Sequence, residues 1–249
     1  MLVLSPKQSV IKNQLLARLE PEDAQLLESH LKHVELGLRQ PIEQPNRPIK
    51  YVYFPESGMV SVVTNGARKK QLEVGIIGRE GVTGLTVILG NDRSPHSTYV
   101  QMAGHGYRIT ADDLRGAMRK SPTLHGALLH YVQAFMTQTA HTAASNGSAK
   151  LEERLARWLL MAHDRMDGDE LPLVHEFLAL MLGVRRPGVT VAVHTLEAQG
   201  LIRAMRGNIN IVDRAGLEEL AGAAYGVPEA EYRRLMGETN SLFVFKHVS

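Results

Sequence analysis

The 249-residue sequence contains no cysteine. This absence excludes disulfides, thiolate metal sites, iron–sulfur clusters and cysteine nucleophiles. The sequence also lacks an apolar run close to the ~20 residues that a membrane span needs. Polar side chains occur early in residues 1–10 and no apolar signal core follows them. We therefore expect a cytoplasmic protein that makes no contact with a membrane.

Neither sign of charge dominates, because the formal net charge at neutral pH is only +2. Hydrophobic residues make up 44% of the chain and charged residues 22%, which is typical of a soluble globular protein. The overall charge therefore does not indicate a nucleic-acid-binding protein, and any basic surface must be local. The length suits one large domain or two small ones.

The motifs of common enzymes and metal sites are missing as well. Eleven histidines are present, but neither the pair His30 and His33 nor the pair His125 and His130 forms a His-Glu-x-x-His motif. No Gly-x-Ser-x-Gly motif of a hydrolase is found either. We therefore predict that the protein is not an enzyme and contains no metal or cofactor.

The pattern of apolar residues changes twice along the chain. Leucines recur at helical spacing in residues 12–36, which predicts helix there. Residues 40–110 instead carry short β-branched or aromatic runs between proline and glycine, a pattern typical of a barrel or jelly roll. Within this region, Asn65-Gly66 between two such runs predicts a hairpin. Helical spacing returns over residues 111–165.

Pro122 begins a long helical pattern whose apolar residues are separated by alternating steps of four and three. This spacing predicts a coiled-coil-like seam shared by two chains, although an amphipathic core helix would have a similar pattern. The polar and small residues 145–148 predict a hinge to the next domain. The residues of the predicted seam are Leu124, Leu128, Tyr131, Phe135 and Gln138.

Residues 174–202 are the most informative stretch, because they predict two helices joined by a short turn. Gly183 ends the first helix at a position where glycine tolerates a positive φ. The second helix runs from about Arg186 to Gln199, and its N-terminal part would contact base edges in the DNA major groove. The candidate DNA-contacting residues of this region are Arg185, Arg186, Pro187, Gly188, Thr190 and His194.

Residues 201–212 predict two short strands around a turn, which together form the wing of a winged helix. Arg203, Arg206 and Asn208 would face the phosphate backbone. Residues 185–210 contain four arginines and one glutamate, so that this segment carries a net charge of +3. The local charge favours DNA binding over the alternative, a helical hairpin whose arginines only contact solvent.

This order of parts resembles the Crp/Fnr superfamily of cyclic-AMP-receptor-like transcription regulators, over about residues 12–235. Residues 182–190 (LGVRRPGVT) correspond to the family's turn and recognition helix. Residues 196–202 (LEAQGLI) match the end of that helix and the start of the wing. Residues 52–58 (VYFPESG) resemble a strand and turn of the family's sensor domain.

The resemblance also implies a cyclic-nucleotide site, but a degenerate one. The family's Gly-Glu pair, whose carboxylate holds the ribose hydroxyl, becomes Gly84-Leu85, and the arginine that neutralises the cyclic phosphate falls on His96. Leucine accepts no hydrogen bond, and histidine lacks the guanidinium fork. Arg93 lies nearby in the sequence and could substitute. The candidate residues of the effector pocket are Gly84, Leu85, Arg93, His96, Ser97 and Thr98.

The resemblance implies an α+β fold with a cyclic-nucleotide-binding-like β-barrel or jelly roll (12–121), a dimerisation helix and hinge (122–147), a winged helix-turn-helix domain (148–235) and a tail (236–249). The tail contains an apolar run at 242–245 that could pack on either domain.

The partners that the resemblance implies are double-stranded DNA, a second copy of the chain, RNA polymerase and an unidentified small-molecule effector, with no membrane. An effector on the sensor domain would shift the hinge and thereby set the spacing of two recognition helices on a palindromic site. The alternative that stays open is a ligand-responsive sensor that acts mainly through protein partners.

Overall fold

The chain forms a β-rich N-terminal domain and a C-terminal domain of helices and a small sheet, with one long helix between them. A computed structural model describes residues 9–65, 71–237 and 244–245. Within these ranges, every helix is too short or too polar to cross a lipid bilayer.

The first elements differ from the helix predicted over residues 12–36. Strand β1 (Ser9–Val10) and a 3₁₀ turn (Leu16–Arg18) precede helix α1 (Pro21–Glu28). Strand β2 (Lys32–Leu36) then occupies the end of the segment, so the prediction of helix was wrong there. The reason is tertiary, because all of β2 pairs with residues 104–108, and this pairing overrides local helix propensity.

Seven strands build the N-terminal domain, together with the short helix α2 (Leu85–Ile88). After β2, these strands are β3 (Pro41–Glu43), β4 (Tyr51–Pro55), β5 (Met59–Asn65), β6 (Gln71–Ile77), β7 (Ser97–Met102) and β8 (Gly104–Thr110). They form two antiparallel sheets, with the orders β2-β8-β4 and β3-β7-β5-β6. Among the described residues no strand pairing joins the two sheets, so the domain is a jelly roll and not a closed barrel.

Strands β5 and β6 form the hairpin that the sequence predicted. Their register runs from Val60 opposite Ile77 to Asn65 opposite Gln71, with an irregularity after Val62. Gly66, the second residue of the predicted turn, lies outside the described residues.

Three helices follow the jelly roll, in agreement with the helical pattern of residues 111–165: α3 (Ala111–Lys120), α4 (Pro122–Ser148) and α5 (Leu151–His163). The Ser121 hydroxyl caps α4 by accepting a hydrogen bond from the backbone N–H of Leu124. Helix α4 continues through residues 145–148 and has its C-cap at Ala149. The break between the helices therefore comes just after the predicted hinge.

The residues of the predicted seam lie on the inner face of α4. All five are buried within the single chain, so the prediction that they form a dimer seam was wrong. They are Leu124, Leu128, Tyr131, Phe135 and Gln138. The apolar members pack in the cores of the N-terminal domain. Gln138 pairs with both backbone groups of Ile76 at 2.8 and 3.2 Å. Its amide thereby covers the edge strand β6, where backbone groups would otherwise lack partners.

The described part of the C-terminal domain contains a three-stranded antiparallel sheet of order β10-β11-β9, helix α5 and four further helices. The strands are β9 (Glu170–Leu171), β10 (Ile202–Met205) and β11 (Asn208–Ile211), and the further helices are α6 (His175–Met181), α7 (Arg186–Ala198), α8 (Arg214–Ala221) and α9 (Val227–Met236). Helix α9 returns to pack on α4. Strand β12 (Val244–Phe245) pairs with β1, while residues 242 and 243 of the predicted apolar run lie outside the described part.

Candidate nucleic-acid interface and effector pocket

Helices α6 and α7 form the predicted helix-turn-helix. Gly183 ends the first helix with φ at +65°, a backbone conformation that side chains other than glycine rarely adopt. Arg185 is the N-cap of α7, and Pro187 lies in its first turn, where a missing N–H leaves no helical hydrogen bond unmade. The inner face of α7 is buried in the core of the C-terminal domain and consists of Val189, Ala192, Val193 and Leu196.

The outer face of α7 is open to solvent. Arg185, Arg186, Pro187 and His194 are exposed, so four of the predicted DNA-contacting residues are accessible. Gly188 and Thr190 are half-buried. Arg185, Arg186 and Pro187 therefore form an exposed basic surface at the helix N-terminus, and His194 lies about two turns further along the helix.

Thr190 is tied to its surroundings. Its hydroxyl donates to the carbonyl oxygen of Arg186 at 3.2 Å and lies 3.1 Å from Nδ1 of His175. Burial lowers the pKa of His175, and the positive charge of Arg186 lowers it further. His175 therefore favours the neutral imidazole, which can position Thr190 without adding charge beneath the helix.

Val191 belongs to this surface but was missed by the sequence analysis. It lies between Thr190 and the buried Ala192, and 62% of it is exposed. An exposed β-branched residue in the middle of the helix is a suitable contact for a thymine methyl group. The nearby Val189 and Val193 are buried. Val191 therefore differs from these core valines only in the side of the helix on which it lies.

Strands β10 and β11 form the predicted wing. Arg203 on β10 and Arg206 in the turn are exposed, and Gly207 allows the tight turn with φ at +83°. Asn208 is different, because its side-chain amide donates to a carboxylate oxygen of Glu170 at 2.7 Å. This bond holds Asn208 against β9, whereas the two arginines have exposed side chains that can reach phosphate.

The predicted effector pocket is partly filled by a side chain of the protein itself. Gly84 precedes α2 with φ at +70°, and its backbone N–H donates to a carboxylate oxygen of Glu43 at 2.8 Å. Glu43 is buried and lies opposite Thr98 in the register of β3 and β7. Burial raises the pKa of Glu43, while bonds from Gly84 and Thr98 partly offset this effect.

The other predicted pocket residues do not all converge on this point. Arg93 is exposed, and its guanidinium pairs with the adjacent Asp92 at 3.2 Å. His96 is half-buried, and its Nδ1 has no hydrogen-bond partner within the described ranges. Leu85 begins α2 and packs against the apolar cores, and Ser97 begins β7. The structure therefore brings Gly84 and Thr98 together around Glu43, and Ser97 lines the same cleft as Thr98.

A cleft of about 680 Å³ extends from this pocket to α6. Glu43 and Thr98 line it on the jelly-roll side, and Leu180 lines it on the side of the helix-turn-helix. Arg39, which has a positive φ of 63°, places its guanidinium 5.2 Å from the ring of Phe177 on α6. The cleft thus lies directly between the two domains.

A buried carboxylate also connects the domains. The Glu73 oxygens accept hydrogen bonds from Trp158 Nε1 at 2.6 Å and from the Ser61 hydroxyl at 2.5 Å. Ser61 and Glu73 belong to the jelly roll, whereas Trp158 belongs to α5. Burial raises the pKa of Glu73 to about 7, although its hydrogen bonds and the charges of Arg157 and Arg165 lower it.

The geometry defines a winged helix-turn-helix protein with a jelly-roll domain, and comparisons with known proteins specify this class further. Residues 153–220 match the family model of the Crp-like helix-turn-helix domain. No curated protein sequence matches the chain.

Several solved structures have the same fold. FixK2 from Bradyrhizobium japonicum is 17% identical, with a TM-score of 0.67 and coverage of 78% of this chain and 99% of FixK2. The c-di-GMP-responsive regulator CLP from Xanthomonas campestris is 18% identical, with a TM-score of 0.62 and coverage of 77% and 99%. A Crp-family transcriptional regulator from Thermus thermophilus is 19% identical, with a TM-score of 0.63 and coverage of 78% and 98%.

The helix-turn-helix match and this fold confirm the resemblance that the sequence indicated. Residues 153–220 form a Crp-like helix-turn-helix domain, and the chain as a whole has the fold of these Crp/Fnr-type regulators.

Proposed function

We propose that the protein binds palindromic DNA as a homodimer and that its jelly roll does not bind cyclic AMP in the usual way of the family. The observation that carries the DNA-binding part is the exposed basic surface on α7 and the wing. Arg185 and Arg186 lie at the N-terminus of the recognition helix, and Arg203 and Arg206 lie on the wing.

The two pairs of arginines have different roles in this proposal. The planar guanidinium groups of Arg185 and Arg186 can each form two hydrogen bonds with a guanine in the major groove. Val191 adds an apolar contact beside them. Arg203 and Arg206 bind phosphate, which strengthens binding to any sequence and positions the helix.

The outer face of α4 supports the homodimer. It presents a second series of residues with alternating steps of three and four, offset by one or two positions from the buried series. Leu129 and Met136 are its large apolar members, and 65% of Met136 is exposed. The small residues between and beyond them would let two helices approach closely. The proposed seam consists of Gly126, Leu129, Gln133, Met136, Ala140, Ala143 and Gly147.

A twofold axis along α4 would place two recognition helices on one face of the DNA. Half-sites would then be separated by about one helical turn, and the site would be a palindrome because the dimer is symmetric.

Glu43 supports the proposal about the effector. In the family a cyclic phosphate needs positive charge or free N–H donors, but here a buried carboxylate already accepts the N–H of Gly84. A phosphate at that position would meet a carboxylate, which is unfavourable at low dielectric, and the arginine that lines the same cleft, Arg39, is directed at the ring of Phe177 instead. An effector with a neutral or cationic group would suit the cleft beside Glu43 better, and it would contact α6 there.

The experiment is a selection from a pool of random duplexes, with purified full-length protein and no added ligand. Wild type, Arg186→Ala and Met136→Glu are compared at two salt concentrations. We expect wild type to retain a two-fold symmetric motif with half-sites about one turn apart. Arg186→Ala should lose the motif, and Met136→Glu should elute as a monomer in size-exclusion chromatography and retain at most single half-sites.

The same experiment distinguishes the alternatives. If wild type retains only unsorted DNA that modest salt releases, specific recognition without an effector is contradicted. If Met136→Glu stays dimeric and keeps the full palindrome, the proposed seam is wrong while DNA recognition stands. Arg119→Ala on α3 is the matched control, because it removes an exposed arginine that belongs neither to the helix-turn-helix nor to the wing.

A further inference from the structure

Three side chains that ligate metals in proteins converge at one end of the sheet β2-β8-β4. His33 is on β2, His105 is on β8, and Glu56 directly follows β4. In the register His33 is opposite Tyr107 and His105 is opposite Glu35. The two histidines are therefore diagonal neighbours on one face of the sheet, with ring centroids 5.3 Å apart.

The distances are close to those of a metal site. One donor atom from each of the three residues lies within 4.8 Å of the other two, and Nε2 of His33 is 3.9 Å from a carboxylate oxygen of Glu56. In a tetrahedral zinc site with bonds of about 2.0–2.2 Å, ligand atoms are roughly 3.4 Å apart. Small side-chain rotations would close the difference.

Glu56 is already oriented by a neighbour. One of its oxygens accepts a hydrogen bond from the backbone N–H of Lys12 at 2.8 Å, and the residue is 7% exposed. Ligating carboxylates are commonly held by such a bond to the other oxygen. The second oxygen of Glu56 is the one that faces His33.

His105 is also oriented by hydrogen bonds, in this case with Ser57. Nδ1 of its ring is 2.8 Å from the Ser57 hydroxyl, which also accepts the backbone N–H of His105 at 3.1 Å. When Nδ1 carries the proton and donates to Ser57, Nε2 keeps a free lone pair for a metal ion. The ring of His33 packs edge-on against Tyr107, with centroids 5.5 Å apart.

We propose that His33, Glu56 and His105 bind a divalent transition-metal ion of the zinc type. Two imidazoles and one carboxylate form a ligand set that suits Zn²⁺ and related ions better than Mg²⁺ or Ca²⁺. His33 is the most accessible of the three, with 41% of its side chain exposed, so a water molecule can take the fourth position. This proposal is independent of the proposed DNA recognition.

The site is connected to the contact between the domains. Lys12, whose N–H holds Glu56, pairs through Nζ with Asp167 at 3.3 Å. Asp167 lies between α5 and β9 and also pairs with Arg79 at 2.6 Å. A bound ion would hold the N-terminal segment against the jelly roll and thereby support this link to the C-terminal domain.

The test uses the tag-free full-length protein after treatment with a chelator. Zn²⁺ is titrated by calorimetry, and Co²⁺ is followed by its visible absorption, which is strong for tetrahedral coordination. We expect one Zn²⁺ per chain. His33→Gln and Glu56→Gln should each weaken binding by more than about tenfold, and Ser57→Ala by about tenfold, because it removes the support of His105.

His30→Gln is the control, because His30 is an exposed histidine near the site that pairs with Asp113 instead. It should bind Zn²⁺ like wild type. The proposal is overturned if folded wild type takes up no Zn²⁺, if His33→Gln binds as tightly as wild type, or if His30→Gln loses as much affinity as His33→Gln. Circular dichroism of each variant verifies that it is folded.

Discussion

The recognition surface and the jelly roll differ in the sign and the exposure of their ionisable side chains. On the recognition surface, Arg186 and Arg206 are exposed and available to an anion. In the jelly roll the notable charged groups are carboxylates, and Glu43 and Glu73 are both buried. One region of the protein therefore exposes cationic side chains, whereas the region that corresponds to the family's cyclic-phosphate site contains a buried carboxyl group.

A resemblance in fold does not by itself transfer a binding site, because binding depends on the side chains that are present. Leu85 and His96 already remove two groups that the family uses for cyclic nucleotides, and Glu43 adds an opposing charge at the N–H of Gly84. In the helix-turn-helix, by contrast, Gly183 and Pro187 have the roles expected for their positions. Function follows the side chains at the site.

The largest expected effect is on specific DNA affinity, and it should come from replacing the Arg186 guanidinium by an ammonium group of the same charge. Arg186→Lys keeps the positive charge but loses the guanidinium fork. We expect specific DNA affinity to fall by about 1–3 kcal/mol, or roughly 5- to 150-fold, while binding to random DNA changes little. Fluorescence anisotropy with the selected site and a scrambled duplex measures both. An equal loss on both duplexes would assign Arg186 to phosphate contact.

A similar effect on stability is expected from the buried anion between the domains. The pKa of Glu73 is raised to about 7 from an ordinary value of 4.5. The stability that the protonated form contributes is therefore fully present below about pH 4.5 and is lost as the pH rises through about 7. This loss amounts to about 3 kcal/mol. The other charged or titratable groups that interact with Glu73 are Tyr99, Arg157 and Arg165.

Glu73→Gln should remove this pH dependence. We expect the variant to match wild type near pH 5 and to be more stable at pH 8, because a neutral amide carries no charge into the interface. Thermal unfolding at several pH values measures the difference. Glu219→Gln on the exposed part of α8 is the control, and parallel pH profiles of wild type and Glu73→Gln would contradict the prediction.

A smaller effect tests whether Glu43 is what closes the family's pocket. Leu85→Glu combined with His96→Arg restores the two family groups, but we expect no gain in cyclic AMP affinity while Glu43 is present. Adding Glu43→Gln should improve the affinity about tenfold or more, because it removes the charge beside Gly84. Calorimetry compares the double and triple variants. Tight binding by the double variant would show that Glu43 is no obstacle.

The smallest effect should come from the wing. Replacing Arg203 and Arg206 by glutamine removes two phosphate contacts, each of which contributes about 0.9 to the slope of log affinity against log salt. We expect the slope to fall by about 2, equally for specific and random duplexes. Met205→Gln, an exposed neighbour without charge, should leave it unchanged. A change of sequence preference would instead place the wing on the bases.

The sequence by itself determined the C-terminal domain, because its signals are local. Gly183, Pro187 and the valines of α7 specify a turn, a helix start and a buried face within about two turns of helix. The β5–β6 hairpin was also predicted from local pattern, because its two paired strands are close together in the sequence. Where partners are distant, local pattern failed, as in β2, which became a strand because β8 pairs with it.

Only the tertiary structure decided which face of α4 is buried. The series that contains Leu128 and the series that contains Leu129 have the same steps of three and four, so periodicity cannot distinguish the inner from the outer one. The packing of the jelly roll covers the first and leaves Met136 of the second exposed.

The buried and clustered polar groups depended on tertiary structure for the same reason. Glu43 meets Gly84 across 41 positions of sequence separation and Glu73 meets Trp158 across 85, while His33 and His105 come together only because β2 and β8 are paired. Sequence spacing predicts the periodicity of one element. The partner that covers an element is chosen by packing, which depends on the whole chain at once.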